Sequence, residues 1–352
     1  MLSRRLLLYV VAGASFGIPA AADAPQPYPQ RPVKIITAGI PGTTFDLVAR
    51  ALADRLSLRL KQIFLVEPRP GAAGNVGAEF VAKASPDGYT LIMALGTTFA
   101  VNPSLYRKPP FDPLADFTFI AITATTSTVL VVHPSVPVSS VAEFVAFAKK
   151  EPIAYAHGGN GTPGHLTMEY FRLMAGFQTT PVPYRGNPQL VTDLVGGQIK
   201  AGFVAASGVI QHVREGRLKG LAVSTRSRSP LAPDVPTIAE AGYPQFEFAS
   251  YHVLAAPAGI PEPVAALLER EVLQSLADPE LRERFRTQDI VIAPPRVSRP
   301  GHASNPISNC GPRWSRRPAC RSIDRRARHC RGAFFVQCPC SDANTHTTGA
   351  AP

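Results

Sequence analysis

From Pro25 to Arg296 the chain alternates short apolar runs with amphipathic stretches, and this alternation limits the fold more than any other feature of the sequence. The runs VKIITAG, IFLVEP, YTLIMAL, STVLVVHP, IAYAH, TTPVPYR, KAGFVAA, LKGLAVST and FASYHVLAAP read as strands. Helix starts lie between them. Thr43-x-x-Asp46 spells a capping box ahead of FDLVARALADRLSLRL, where Val48, Leu52, Leu56 and Leu60 fall on one face. Ser140-x-x-Glu143 does the same for VAEFVAFAKK, and Pro188 opens PQLVTDLV, which stops at Gly196-Gly197. Strands alternating with helices imply an α/β protein whose parallel sheets are covered by helices. Roughly 270 residues suffice for a large core, divided between two domains.

The ends of the chain have a different character. Arg4 and Arg5 precede the apolar run LLLYVVAGASFGI and the small residues PAAADA, the layout of a secretory signal cleaved after Ala22 or Ala24. That run, of about 13 residues, falls short of the ~20 that a spanning helix needs. Residues 1–24 are therefore expected to be a signal peptide that is removed on export, by the general or the twin-arginine route. All five cysteines, Cys310, Cys320, Cys330, Cys338 and Cys340, lie beyond residue 296, so residues 25–296 fold without a disulfide. Residues 297–352 also hold nine arginines against two aspartates, which is +7 of the chain's net +11. A basic charge confined to one end gives little reason to expect nucleic-acid binding. The segment has no Glu, no Lys and no periodicity, and Cys338-x-Cys340 with His329 fits no zinc spacing. A disordered or frameshifted tail is the expectation, and no metal site.

Three loops have the chemistry of a binding site. Gly159-x-Gly161-x-x-Gly164 carries the spacing of a dinucleotide loop, yet the strand after it ends in Tyr184-Arg185-Gly186 without the acid that holds a ribose. It also comes late in the chain, with Pro163 in the turn. A nucleotide is disfavoured and no cofactor is expected. Thr162 as N-cap and Pro163 at the first helical position start a helix there, and the glycines are expected to leave backbone N–H groups uncovered, which suits an anion. Pro41-Gly42-Thr43-Thr44 has the same build at the first helix, and Gly96, Thr97 and Thr98 end the strand TLIMAL. Ligands of open α/β sheets sit outside the carboxyl ends of strands, so three such loops can converge on one small carboxylate.

The segments YPQRPVKII, PGTTFDLVAR, VEPRPGAAGNVGAEFVAKASPDGYTLIMA, VNPSLY, HGGNGTPGHL, VPYRGNPQLVTDLVGGQI, RSPLAPDVPTIAEAGYP and LAAPAGIPEPV, in that order, resemble the Bug-type periplasmic substrate-binding subunits of tripartite tricarboxylate transporters. The resemblance runs from Tyr28 to about Arg296. It implies a two-lobed type II periplasmic binding protein fold with a hinge and an interlobe cleft. It also implies a periplasmic location, a monomer, a small carboxylate ligand and delivery to membrane permease subunits. Lobe 1 would comprise residues 25–128 and 223–296, and lobe 2 residues 129–222, with hinges near Ser127–His133 and Leu221–Arg226. Carried over residue by residue, the ligand loops fall on Pro41, Gly42, Thr43, Thr44 and Asp46, and on Gly159, Asn160, Gly161, Thr162 and His165. The GTT loop (Gly96, Thr97, Thr98) would line the cleft from the first lobe, and the VAAS segment, through Ala205 and Ser207, from the second. Departures stand at Gly42-Thr43, where a Gly-Gly pair is usual, at Pro68 for Asn and Tyr251 for Trp, and in the Arg/Cys tail that replaces a C-terminal helix.

Several residues have a plainer role open to them. Asp46 is more readily a first-turn carboxylate than a ligand contact. His165 has no nucleophile nearby and reads as a polar first-turn residue rather than a base. Arg185 is as readily an exposed loop residue as a carboxylate partner. Leu166, Tyr170, Leu173 and Phe177 read as one core stripe. No G-x-S-x-G elbow occurs between Pro25 and Arg296 and the histidines are scattered, so no catalytic residues are expected. A periplasmic sensor using the same cleft remains the alternative to a transport receptor, with a nucleotide-dependent enzyme the remoter one.

Overall fold

The fold is that of a computed structural model, which describes residues 28–292 other than 107 and 109. The expected signal peptide, the five cysteines and the arginine-rich segment lie outside the described residues. The chain begins β1 (Val33–Thr37), α1 (Thr44–Leu60), β2 (Phe64–Pro68), a 3-10 turn (Ala72–Gly74), α2 (Asn75–Ala82), β3 (Thr90–Leu95), α3 (Gly96–Ala100), α4 (Asn102–Leu105) and β4 (Phe117–Thr126). It continues through β5 (Thr128–Val132), α5 (Val141–Lys150), β6 (Ile153–His157), α6 (Pro163–Ala175), β7 (Thr179–Pro183), α7 (Asn187–Val195), β8 (Ala201–Ala205), α8 (Ala206–Arg214) and β9 (Lys219–Val223). It returns with β10 (Ser250–Pro257), α9 (Glu262–Leu276), α10 (Pro279–Arg286) and β11 (Ile290–Ile292).

These strands form a six-stranded sheet in the order β11-β4-β10-β3-β1-β2 and a five-stranded sheet in the order β7-β6-β8-β5-β9, the α/β two-lobed architecture of a type II periplasmic binding protein. The central strands β1, β3, β5 and β8 are buried on both faces, which is why they read as apolar runs. Ile35, Leu91 and Met93 pack on the α1/α9 side of the first sheet, while Ile36, Ile92 and Ala94 pack with Phe99 and Phe117 on the other. Leu130 and Val132 face one cluster of the second sheet, Val129 and Val131 the other.

The sheets are mixed, not parallel as the alternation implied. β10 runs antiparallel to both β3 and β4, β11 antiparallel to β4, and β5 antiparallel to both β8 and β9. The β-α-β crossovers keep β1, β2 and β3 parallel, and likewise β6, β7 and β8. The reversals come from strands that serve the passage between sheets, where no helix intervenes. β4 and β5 lie on either side of the single residue Ser127. Neither β4 nor β11 is evident in the sequence. FTFIAITATT is rich in Thr and Ala, and β11 is three residues long, held by its pairing with Thr126, Thr125 and Ala124.

A buried carboxylate ties this passage together. Asp289, at φ 58°, accepts Ser127 N at 3.1 Å, Ser127 Oγ at 2.5 Å and Ser229 Oγ. Burial pushes its carboxyl above the usual range, and the serine hydrogen bonds oppose that rise. Beside it, Thr128 N donates to Ser224 Oγ at 3.0 Å, and Ser224 Oγ donates to Phe248 O at 2.7 Å.

Three local expectations need correction. Thr43 is the N-cap of α1 but its hydroxyl donates to Ile40 O at 2.9 Å, so the Thr43/Asp46 capping box does not form. The Ser140/Glu143 box half forms: Glu143 N donates to Ser140 Oγ at 3.2 Å, but the returning carboxylate takes Ser139 N. On α6, Leu173 is 57% exposed; Met168, Phe171 and Ala175 form the buried face with Leu166. Of the expected stripe, Leu166 and Phe177 are in the core and Tyr170 stacks on Phe246 at 4.9 Å, so Leu173 is the member that departs, and Phe171 takes the buried position against Phe203 and Phe246.

Candidate functional site

Each lobe turns two neighbouring parallel strands into helix starts at one edge. In the first lobe β1 leads to α1 and β3 to α3, with Thr37 beside Met93. In the second, β6 leads to α6 and β8 to α8, with Ala156 beside Gly202. The first intrahelical bonds are Leu47 N to Thr43 O in α1 and Leu166 N to Thr162 O in α6. The amides of Thr44 and Phe45, and of Gly164 and His165, lie ahead of them at the positive ends of the helix dipoles.

The first loop is organised by Asp46, which is buried. Its carboxylate accepts Gly42 N at 2.9 Å, Thr37 Oγ1 at 3.3 Å and Arg50 Nε at 2.9 Å. These contacts use it within the loop, consistent with its plainer role. Pro41 and Gly42 are exposed at the tip; Thr43 and Thr44 are half-buried. Thr44 Oγ1 lies 3.3 Å from His252 Nε2 of β10, and burial pushes His252 down to about 3, keeping it neutral.

The GTT segment forms the start of α3 rather than an open loop. Gly96 packs against Tyr251: a Cβ there would stand 3.3 Å from the Tyr251 Cβ. Thr97 is half-buried, while Thr98 is buried and donates to Ala73 O at 3.1 Å. Asn102 donates to the same oxygen at 3.0 Å and to Asn75 Oδ1 at 2.7 Å. Ala72 and Ala73 have φ of 46° and 53°, conformations costing roughly 1 to 3 kcal/mol each for non-glycine residues. The two donors on Ala73 O hold that turn in place. Asn102 Oδ1 is buried and has no hydrogen-bond partner among the described residues.

The second loop meets this wall. Gly161, at φ 81°, is buried, and a Cβ on it would lie 3.0 Å from Leu105 Cδ1, 3.1 Å from Asn102 Oδ1 and 3.8 Å from Ala73 Cβ. Val101, between α3 and α4, also packs into the second lobe's core. Thr162 is the N-cap of α6, but its hydroxyl donates to Gly159 O at 2.7 Å. The expectation that the glycine amides are uncovered is corrected here. Gly159 N donates to His157 Nδ1 at 3.2 Å and Gly161 N to His165 Nδ1 at 3.3 Å. Gly159 follows the histidine that ends β6 and Gly161 precedes the one in the first turn of α6, so the acceptor lies within four residues of each. Asn160 is exposed at the tip. Gly164 approaches β8 so closely that a Cβ would be 2.3 Å from Phe203 O.

Ala205 is half-buried at the N-cap of α8, and Ser207 is exposed one residue inside that helix. Arg185 is exposed. Thus Gly161 of the second lobe stands against the Ala73/Asn102 wall that Thr98 helps to hold, while the Pro41–Thr44 loop stands at the adjoining strand end. Ala73, Asn75, Asn102, His157 and His252 escaped the sequence reading. VNPSLY was visible as a motif, but the partners of Asn102 come from residues far away in sequence. Among the described residues no group of three or more His, Cys, Asp or Glu could hold a metal, and no helix is long and apolar enough to cross a membrane.

Residues 48–295 match the model of the tripartite tricarboxylate transporter family receptor. The chain belongs to this family. Members of this receptor family bind solutes in the periplasm and are not enzymes. The chain is 33% identical over 308 residues to Protein BugT of Bordetella pertussis, covering 87% of this chain and 93% of that protein. An R. palustris protein solved with adipate is 34% identical, with a TM-score of 0.69 over 75% of this chain and 89% of its own. MatC from Rhodopseudomonas palustris, solved with bound malate, is 29% identical, with a TM-score of 0.69 over 76% and 92%. Family receptors and this chain thus share the two-lobed α/β fold.

Proposed function

We propose that this chain is a periplasmic solute-binding protein that captures a small carboxylate between its lobes and delivers it to the permease subunits of a tripartite tricarboxylate-type transporter. The observation that carries this reading is the placing of Gly161 against Ala73 and Asn102, which sets a loop of one lobe against the wall of the other beside two helix N-termini. Solution of related receptors with adipate and with malate supports carboxylates as the ligand class.

The ligand enters between the lobes, of which the second takes residues 232–248 as well as 129–222, since Ile238, Phe246 and Phe248 pack in its core rather than with residues 25–128 as expected. The Pro41–Thr44 loop and the Gly96–Thr98 turn receive it from the first lobe, Gly159–Thr162 with Ala205 and Ser207 from the second. First-turn amides of α1 and α6 supply hydrogen bonds and dipole stabilisation of about 0.3 to 1 kcal/mol per terminus, more where water is excluded. The Arg50 guanidinium beside the first loop is already paired with Asp46, so dipoles rather than a free cation meet the carboxylate. Rotation about Ser127 and the Ser224 region closes the lobes over it.

The test is a thermal-shift screen of the full chain against adipate, malate, sugars, amino acids and nicotinamide nucleotides. A carboxylate at 100 times its Kd is expected to add about 2.7 kcal/mol of stability. Stabilisation by a nucleotide or sugar alone overturns the reading. Gly161→Val places a branched side chain at φ 81° against Leu105 and Asn102. It is expected to prop the lobes apart and abolish binding, with the unliganded melting temperature falling by a few degrees from the backbone strain at that position.

A further inference from the structure

Beneath the second loop lies a polar cluster that carbon-to-carbon packing does not explain. His157 ends β6 and His165 sits in the first turn of α6, their ring centroids 4.6 Å apart and their planes 41° apart. Each ring accepts the N–H of one loop glycine at Nδ1: His157 from Gly159 at 3.2 Å, His165 from Gly161 at 3.3 Å. A neutral imidazole has one donor and one acceptor nitrogen, so acceptance at Nδ1 places the proton on Nε2 in both rings. For His157 that leaves a buried Nε2–H with no protein partner among the described residues. Gly159 and Gly161 have φ of 119° and 81°, so their backbone is free to turn either way without such a restraint.

We infer that His157 and His165 are positioning residues for ligand binding, two neutral imidazole acceptors that fix the Gly159–Gly161 backbone in the form that meets the ligand and the first lobe. This inference rests on the second loop being part of the binding site. A protonated ring carries N–H at both nitrogens and repels the glycine N–H it now accepts, so a charge on either ring unseats the loop.

The surroundings keep the pair uncharged. Burial, with the neighbouring His157, pushes His165 down to about 4, and burial lowers His157 as well. The charged groups acting on the pair come from α6: Glu169 and Arg172, joined at 2.7 Å, with Tyr155 of β6 donating to Glu169 at 3.0 Å. Those two bonds occupy the carboxylate and blunt its pull on the imidazoles. β7 (TTPVP) and β8 (AGFVA), which flank β6, carry no titratable side chain, and Asp193 of α7 is held by Tyr184 Oη at 2.9 Å.

Asn carries an amide oxygen close to where His carries Nδ1, accepts a hydrogen bond and does not titrate, so the test compares Asn with Ala. Affinity for adipate and for malate is measured by calorimetry from pH 7.5 to pH 4.5 on the full chain, for wild type, His165→Asn, His165→Ala and His157→Asn/His165→Asn. At pH 7.5 the Asn variants are expected within about threefold of wild type, and His165→Ala at least tenfold weaker. On acidification the wild type is expected to lose affinity faster than the double Asn variant, whose remaining loss is that of the ligand's own titration. Equal affinities for Ala and Asn, or parallel pH profiles, overturn the inference while leaving the carboxylate-receptor reading intact. Absence of binding by wild type to any carboxylate overturns that reading instead. Independently of ligand, the nitrogen shifts of both rings are expected to report the Nε2–H tautomer at pH 7.5; an Nδ1–H tautomer in either ring overturns the inference.

Discussion

The loop between β1 and α1 and the loop between β6 and α6 follow the same course, each leading a buried strand through glycine and threonine into a helix whose N-cap position is a threonine, yet they are held by different chemistry. A carboxylate holds the first: Asp46 takes Gly42 N and is paired with Arg50. Two neutral rings hold the second. The glycines differ as well. Nothing lies within 4 Å of where a Cβ on Gly42 would stand, whereas Gly164 abuts the Phe203 carbonyl and Gly161 faces the other lobe. One local pattern therefore serves two loops, an open one whose anchor is a charge and a crowded one whose anchor depends on neutrality.

The widest separation between the loops is expected from alanine at their glycines. Gly164→Ala drives a Cβ to 2.3 Å from a backbone oxygen that cannot swing away. A loss of about 3 kcal/mol, or roughly 10 °C in melting temperature, is expected in calorimetry. Gly42→Ala meets open space and only the strain of φ 83°, about 1 kcal/mol. Equal losses would erase the distinction between crowded and open.

Next in size is the carboxylate. Asp46→Ala leaves Gly42 N and Thr37 Oγ1 without their acceptor, and urea unfolding is expected to register a loss of about 2 to 3 kcal/mol. Because Arg50 is half exposed and rehydrates, the loss should stay below that of a fully buried pair. A change under 0.5 kcal/mol would mean that the first loop holds itself.

Acid should act on the second loop's anchor. His157 and His165 are pushed below their ordinary value in the fold, His165 to about 4, as is His252 beside the first loop. The unfolded chain takes these protons first. Stability is therefore complete above about pH 6.5 and falls as pH drops toward the folded values, by up to ~1.4 kcal/mol per unit for each group. The double variant His157→Asn/His165→Asn is expected to have a shallower fall between pH 6.5 and 4.5. An unchanged slope would show that the pair does not titrate on unfolding in that window.

The smallest contrast lies in the two N-cap hydroxyls. Thr162 Oγ1 donates to Gly159 O in a partly buried setting, Thr43 Oγ1 to Ile40 O in an exposed one. Thr162→Val is expected to cost about 1 kcal/mol and Thr43→Val less than half of that by thermal unfolding; the reverse order would contradict the assignment of the crowded loop.

The helix starts at Thr44 and Pro163 were legible because capping residues and proline act through local backbone geometry. So were the two-face apolar runs such as β3 and β5. β4 escaped because its Thr and Ala side chains signal no buried run, and the antiparallel course of β10 escaped because direction is settled by where a distant strand inserts. At the site, glycine and threonine marked the loops, but the acceptors of their amides depend on His157 and His165 being buried enough to stay neutral. The Ala73/Asn102 wall was out of reach of any local pattern, since Asn102, Asn75 and Thr98 meet only after β3 and the 3-10 turn are in place.

The seat of β10 between β3 and β4 has a further consequence, for the order of assembly. Every strand of the second sheet comes from the unbroken run 128–223, so that sheet can complete itself from neighbouring chain. The first sheet cannot: β3 and β4 face an empty slot until a segment made after the whole second lobe returns to fill it. Until then the inner edges of β3 and β4 offer unpaired backbone and the apolar side chains of Leu91, Ile92 and Met93, the kind of edge on which chains adhere to one another. The late arrival of a central strand thus makes the first lobe the slower to finish and the more exposed to aggregation while it waits.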